Sequence, residues 1–213
     1  RPKNWEFLRE RMESGACGEV LLTQHAEADD LFGMFGNADA EHTVILSEDK
    51  DMRMVPGWHL NWNTHAMFRL YPGVFQARFD DKDYGYYWFW LQMLQGDPTD
   101  NIPGLEKYVP KGKKPALVGP ATAAKLLDGV NDNLEAGLRV LELYESYYKE
   151  LATVRMLEQA CLLYIRHTPE RWDACCLRPG PLYQMLENTT IFDAAYREIE
   201  DRVKKVQFYE GPQ

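Results

Sequence analysis

The sequence predicts an α/β chain in which a small, incomplete parallel sheet is followed by a run of helices. Three observations predict it. Residues 43–46 (T-V-I-L) are a β-branched apolar run of the kind buried in parallel sheets. Every strand-like segment lies before residue 80. Beyond that point helical periodicity recurs almost to the end. The 213 residues can bury one large core or two small ones. A boundary is expected near residue 80, with an α/β part over 1–80 and a helical part over 81–213.

Taken in order, residues 5–14 place Trp5, Leu8 and Met12 on one face of an amphipathic helix stopped by Gly15. Residues 19–23 read as a short apolar strand. Residues 26–35 read as a helix with Leu31, Met34 and Phe35 inward. After the 43–46 strand, residues 58–62 and 67–71 are further strands separated by polar turns. An aromatic helix is expected over 82–95, opened by Asp80 or Asp81. A Gly/Pro-rich stretch runs from 96 to 120, and helices follow at 121–127, 134–149, 151–164, 182–188 and 192–206. An α/β unit that opens on a helix and offers so few strands is short of what a parallel sheet usually needs.

Composition narrows the class. Hydrophobic content of 45% and aromatic content of 13% fit an ordered globular chain. No apolar run approaches ~18 residues, so no membrane span is expected, and there is no signal-peptide pattern. Cys17, Cys161, Cys175 and Cys176 form no C-x-x-C pair. They read as reduced structural thiols of a cytoplasmic protein, with no zinc site. A net charge of −9 argues against a general nucleic-acid coater. Its distribution says more than its sum.

Seven of the acids fall in three short clusters: Glu27, Asp29 and Asp30 in E-A-D-D, Asp49 and Asp51 in S-E-D-K-D, and Asp97 and Asp100 in G-D-P-T-D-N. Each cluster sits where a strand ends or a helix begins. Glu27 and Asp30 share a helical face, Asp49 and Asp51 follow the buried strand, and the Asp-Pro turn can aim Asp97 and Asp100 one way. Singly, each has an ordinary reading: an acidic helix start, a solvated loop, an N-capped turn. Jointly they call for positive charge between them. Hard oxygen donors select Mg²⁺ or Mn²⁺, and two such ions ~3.5–4 Å apart serve phosphodiester hydrolysis without a side-chain nucleophile. Asp49 and Asp97 are the two whose loss is expected to abolish the reaction.

Residues 96–130 read as a turn between helices, a helix–turn–helix segment. Its glycines permit close backbone approach, and the N-terminus of the later helix offers N–H groups to a phosphate. Between N-I-P-G and V-G-P-A-T-A-A-K-L-L lie Lys107, Lys111, Lys113 and Lys114, in an otherwise acidic protein. Lysines with free amides suit contact with a nucleic-acid backbone rather than base reading.

The order E-A-D-D, D-K-D, G-D-x-x-D-N-I-P-G, V-G-P-x-T-A-x-x-L-L resembles the 5′-nuclease (flap endonuclease) superfamily over roughly residues 5–130. The likeness is to phage 5′→3′ exonucleases and to the 5′-nuclease domain of bacterial DNA polymerase I. It implies a partial PIN-like (Rossmann-like) nuclease core followed by a helical domain with a helix-hairpin-helix motif. It assigns two Mg²⁺ ions to Glu27, Asp29, Asp30, Asp49, Asp51, Asp97 and Asp100. It gives DNA contacts to Gly104, Val118, Gly119, Thr122 and Lys125 alongside the four lysines, with a K⁺ ion in the hairpin.

Against the family pattern, the chain inserts about ten residues near 106–116 and carries Ala121 where a lysine is usual. The family's early strand, a second metal-binding Asp beyond it and the helical arch are expected to precede Arg1. The chain thus corresponds to the C-terminal two-thirds of such an enzyme. The resemblance implies a Mg²⁺-dependent 5′→3′ exonuclease with flap-endonuclease character, acting on DNA and on RNA primers. It would work as a monomer in the cytoplasm, that of the host if the chain is phage-encoded. The alternative is a non-catalytic DNA-structure-binding module with an incomplete metal site.

Overall fold

The computed structural model describes residues 3–16, 18–21, 27–167, 180–182 and 190–205. Helix α1 (Trp5–Glu13) has no buried residue. Helix α2 (Ala28–Ala38) follows, then strand β1 (Val44–Ile45), a 3-10 helix at Lys50–Met54, and strands β2 (Gly57–Asn61) and β3 (Ala66–Leu70). β1 pairs with β2 in parallel, and β2 with β3 antiparallel, in the order β1-β2-β3. The sheet is therefore mixed rather than parallel. The reason is local: Asn61 accepts from the amides of Asn63 and Thr64, which closes a tight turn and sends β3 straight back along β2. No strand occupies residues 19–21, and residues 22–23 of that expected strand lie outside the described residues.

A second hairpin, β4 (Ala77–Phe79) with β5 (Lys82–Tyr84), occupies the start of the expected aromatic helix. Asp80 and Asp81 have φ of 51° and 56°, the left-handed pair of a two-residue hairpin turn. They turn a hairpin instead of opening a helix. Helix α3 (Tyr86–Gln95) begins after Gly85, and all its residues from Tyr87 to Leu94 are buried. A helix apolar on every side belongs in the middle of a core. Around it pack α4 (Pro120–Leu126), α5 (Asn133–Tyr148) and α6 (Ala152–Leu163), and α7 (Asp193–Lys204) packs on α6. The hydrophobic core is continuous from Ile45 through α3 to Ile199. The helix expected at 182–188 lies, but for Leu182, outside the described residues, as do Cys17, Cys175 and Cys176.

Two close approaches place α2. A Cβ on Gly33 would lie 2.0 Å from the Arg166 carbonyl oxygen, and one on Gly36 would lie 2.1 Å from that of Pro56. The i, i+3 spacing puts both glycines on one face, so backbone meets backbone there. That contact sets the rotation of α2 and decides which of its acids point where.

Residues 96–119, between α3 and α4, contain no helix. They form an irregular connection with isolated bridges at Asp97–Ile102 and Tyr108–Ala116. The expected helix–turn–helix is thus two helices joined by a long loop.

Candidate metal centre

The centre is assembled from the C-terminal end of α3. Gly96, at φ 72°, turns the chain out of the helix. The Asp97 amide donates to the Ile102 carbonyl at 2.7 Å, and the Ile102 amide returns to Asp97 at 2.8 Å. Gly104 closes the loop from behind: a Cβ there would lie 2.4 Å from the Gly96 nitrogen. Within this ring Asp97 is fully buried and its Oδ1 accepts from the Thr99 amide at 3.0 Å, an Asx turn. Asp100 is exposed at the loop's tip.

The 3-10 helix after β1 brings the second cluster to the same place. Asp49 caps it, accepting from the Asp51 amide at 2.9 Å. Asp51 then turns inward, where the buried Gln92 Nε2 donates to its Oδ1 at 2.5 Å. One carboxylate oxygen from each of Asp51, Asp97 and Asp100 lies within 4.8 Å of the other two. Lys50 supplies positive charge among them, its Nζ 2.5 Å from Asp97 Oδ2 and 3.9 Å from Asp51 Oδ1.

The electrostatics match that convergence. Burial raises the Asp51 carboxyl above its ordinary range, and the Gln92 bond and Lys50 only partly offset it. Burial acts in the same direction on Asp97. There the Lys50 hydrogen bond and the Thr99 amide outweigh it, and the net shift is downward. Asp29 is raised by burial first and then by the charges of Asp49 and Asp51. The first acid of the helix therefore lies within electrostatic reach of the second cluster.

Its neighbour does not. Asp30 is buried, accepts from the Arg166 amide at 3.1 Å and lies 3.9 Å from Arg166 Nε. The E-A-D-D cluster thus divides. Asp29 is within electrostatic reach of Asp49 and Asp51, Asp30 ties α2 to the chain after α6, and Glu27 is exposed at the N-cap.

The residues present fit a hard divalent cation. The donors are carboxylates only, which suits Mg²⁺ or Mn²⁺. Beside them the Oε1 of Gln92 is buried without a hydrogen-bond partner among the described residues. A buried acceptor of that kind calls for a water or ion to satisfy it. A hydrated cation among Asp51, Asp97 and Asp100 answers both needs.

The residues expected to meet DNA divide as well. Gly104 is buried, and its amide donates to Gln159 Oε1 at 2.9 Å, so that donor is already engaged within the protein. Val118 is 9% exposed, and Gly119 caps α4 with Thr122 half-buried. Lys125, Lys107, Lys111, Lys113 and Lys114 are exposed. Paired amides and carbonyls of Tyr108 and Ala116, both at 2.9 Å, close residues 108–116 into a finger. Lys111, Lys113 and Lys114 stand at its tip.

Sequence reasoning missed two residues at the centre. Gln92 is the only amide in the buried stretch of α3, and such a group must find a partner. Lys50 lies inside the D-K-D motif, yet its bond to Asp97 spans 47 positions and has no local signature. Compared with known proteins, the chain matches no family model, no curated protein and no solved structure.

Proposed function

We propose that the chain is a Mg²⁺-dependent 5′→3′ exonuclease with flap-endonuclease character, hydrolysing phosphodiester bonds of DNA and of RNA primers. On this reading α2 and β1–β3 belong to a PIN-like core. Residues 96–130 are a variant of the helix-hairpin-helix, with the lysine finger in place of a short turn. The observation that carries the reading is the convergence of Asp51, Asp97 and Asp100 from two distant segments, with Asp29 within electrostatic reach of Asp49 and Asp51.

Asp97 and Asp51 are the rigid donors, one braced by the loop's own amides and the other by Gln92. Asp100 is the exposed donor on the solvent side. Bound divalent cations would supply Lewis acidity at the phosphodiester, offsetting charge on the phosphoryl and departing oxygens. Lys50 balances the carboxylates and is within reach to exchange Asp97 for a phosphate oxygen. The exposed lysines hold the duplex through its phosphates. The 5′ polarity rests on the resemblance of the motifs.

The test is release of nucleotides from a 5′-labelled duplex and a 5′-flap substrate with and without Mg²⁺. Activity in the wild type, lost in Asp49→Asn and in Asp97→Asn, supports the reading. Activity retained in both variants overturns it. The alternative, a DNA-structure-binding chain that does not cleave, is favoured by the ion pair through which Lys50 already neutralises Asp97. Tight flap binding with no Mg²⁺-dependent cleavage by the wild type would decide for it.

A further inference from the structure

A cavity of about 310 Å³ opens beside the carboxylates, beyond the end of β1, and Asp49 forms part of its wall. Its other walls differ in character from the metal centre. Trp62, Phe79 and Tyr84 are its aromatic residues, Arg53 and Lys82 its basic ones, and Glu48 and Asp80 stand on the wall with Asp49. The volume is at the lower end of small-ligand pockets.

Two side chains give the cavity a chemistry. Arg53 is half-buried, its guanidinium lying 4.4 Å from the centre of the Trp88 ring. The ring contact holds the group against Trp88. The guanidinium makes no hydrogen bond or ion pair among the described residues, and it lies within electrostatic reach of Tyr84, Asp51 and Asp83. An arginine on a cavity wall whose guanidinium is not already paired is suited to a phosphate oxygen.

Trp62 is 46% exposed, and its Nε1 donates to Glu48, which also accepts from Asn63. The indole is anchored by its edge, which leaves ring surface for stacking on a base. Glu48 offers a further acceptor to an exocyclic amine.

We infer that this cavity is a subsite for a nucleoside monophosphate, with Arg53 on its phosphate and Trp62 against its base. The unit is either the nucleotide next to the bond being cut or a free mononucleotide. The inference rests on the nuclease reading for its place beside the metal centre, but the binding it asserts is independent of cleavage.

The experiment is calorimetric titration of the full chain, in Mg²⁺, with dAMP, deoxyadenosine, inorganic phosphate and a 5′-phosphorylated single-stranded oligonucleotide. dAMP is expected to bind more tightly than deoxyadenosine or phosphate. Arg53→Gln should weaken dAMP roughly tenfold or more without changing deoxyadenosine, as expected for loss of a charge-assisted contact. Arg53→Lys should restore part of that loss. Trp62→Ala should weaken dAMP and deoxyadenosine alike, by roughly tenfold.

Competition between the oligonucleotide and dAMP assigns the subsite to a strand, and its absence assigns it to a free mononucleotide; both support the inference. No dAMP binding, or wild-type dAMP affinity in Arg53→Gln, overturns it. If Arg53→Gln does not fold by circular dichroism, Trp62→Ala decides, and wild-type dAMP affinity there overturns the inference. Cleavage measured on the same samples separates the two readings. Without cleavage the nuclease reading falls while the titration still judges the cavity. Cleavage with no dAMP binding removes the cavity alone.

Discussion

One loop, residues 96–119, carries Asp97 and Asp100 together with Lys107, Lys111, Lys113 and Lys114, and its two halves are built in different ways. In the first half Gly96, Asp97, Ile102, Gly104 and Leu105 are buried and the backbone is bonded across itself. In the second half Lys107, Val109, residues 111–115 and Leu117 are exposed, held by the single Tyr108–Ala116 bridge. The difference teaches what each kind of charge requires. On the proposed reading, carboxylates that share a small cation need fixed positions, and Asp97 is the one the fold braces, with Asp100 left at the exposed tip. Lysines that meet a phosphate backbone act at longer range and need only reach.

The largest effect that would test this contrast is chemical. Asp97→Asn should lower Mg²⁺-dependent cleavage by roughly 10²–10³-fold or more without weakening duplex binding, measured by single-turnover assay and fluorescence anisotropy. If binding falls instead, the two halves do not have separate tasks.

Next is Gly104→Ala. The position has φ 61° and its new Cβ would meet the Gly96 backbone at 2.4 Å, so a loss on the order of 3 kcal/mol is expected in urea unfolding.

Of similar size is a pH effect on the support behind α2. His167 is buried against Tyr86 and Tyr164, and burial lowers its pKa from 6.5 to about 4. A folded-state value below the unfolded one means that the unfolded chain binds the extra proton. Stability is therefore fully present above about pH 6.5 and is lost as pH falls toward 4, by about 3 kcal/mol in all. In His167→Gln, unfolding followed between pH 7 and 4 should lose this slope.

The finger should answer to smaller and different tests. Replacing Lys111, Lys113 and Lys114 with alanine should weaken duplex binding and reduce the log–log salt slope by roughly 3, with single-turnover cleavage of bound DNA unchanged. Gly112→Ala, at φ 71° with nothing within 4 Å, should cost only about 1 kcal/mol. A cost for Gly112→Ala equal to that for Gly104→Ala would erase the contrast.

How much of this was legible depended on distance along the chain. Asp97 and Asp100 were readable as a pair because a three-residue turn brings them together. The first helix and those at 120–126, 133–148, 152–163 and 193–204 were readable from their periodicity, and the strand at 44–45 from its β-branched run. The β4–β5 hairpin was missed because its turn is Asp-Asp, which reads as well as a helix cap. The mixed sheet was missed because a run of apolar residues does not say which way its partner runs. Asp30 was counted with the metal ligands because it shares a motif with Asp29. About 100° of helical rotation separates the two, and that rotation is set by Gly33 and Gly36 against Arg166 and Pro56.

By itself the sequence determined which residue types stand in which local frames: acids at strand ends and helix starts, lysines in a Gly/Pro-rich stretch, an apolar helix destined for the core. Periodicity, turn chemistry and capping act within a few residues, so one chain suffices to read them. Only the tertiary structure decided which acids meet. Asp51 joins Asp97 across 46 positions because the 3-10 helix packs on α3 and Gln92 reaches between them. The Lys50 bond, the cavity with Arg53 and the burial of Gly104 arise in the same way. They are contacts between distant segments, set by how helices and strands pack.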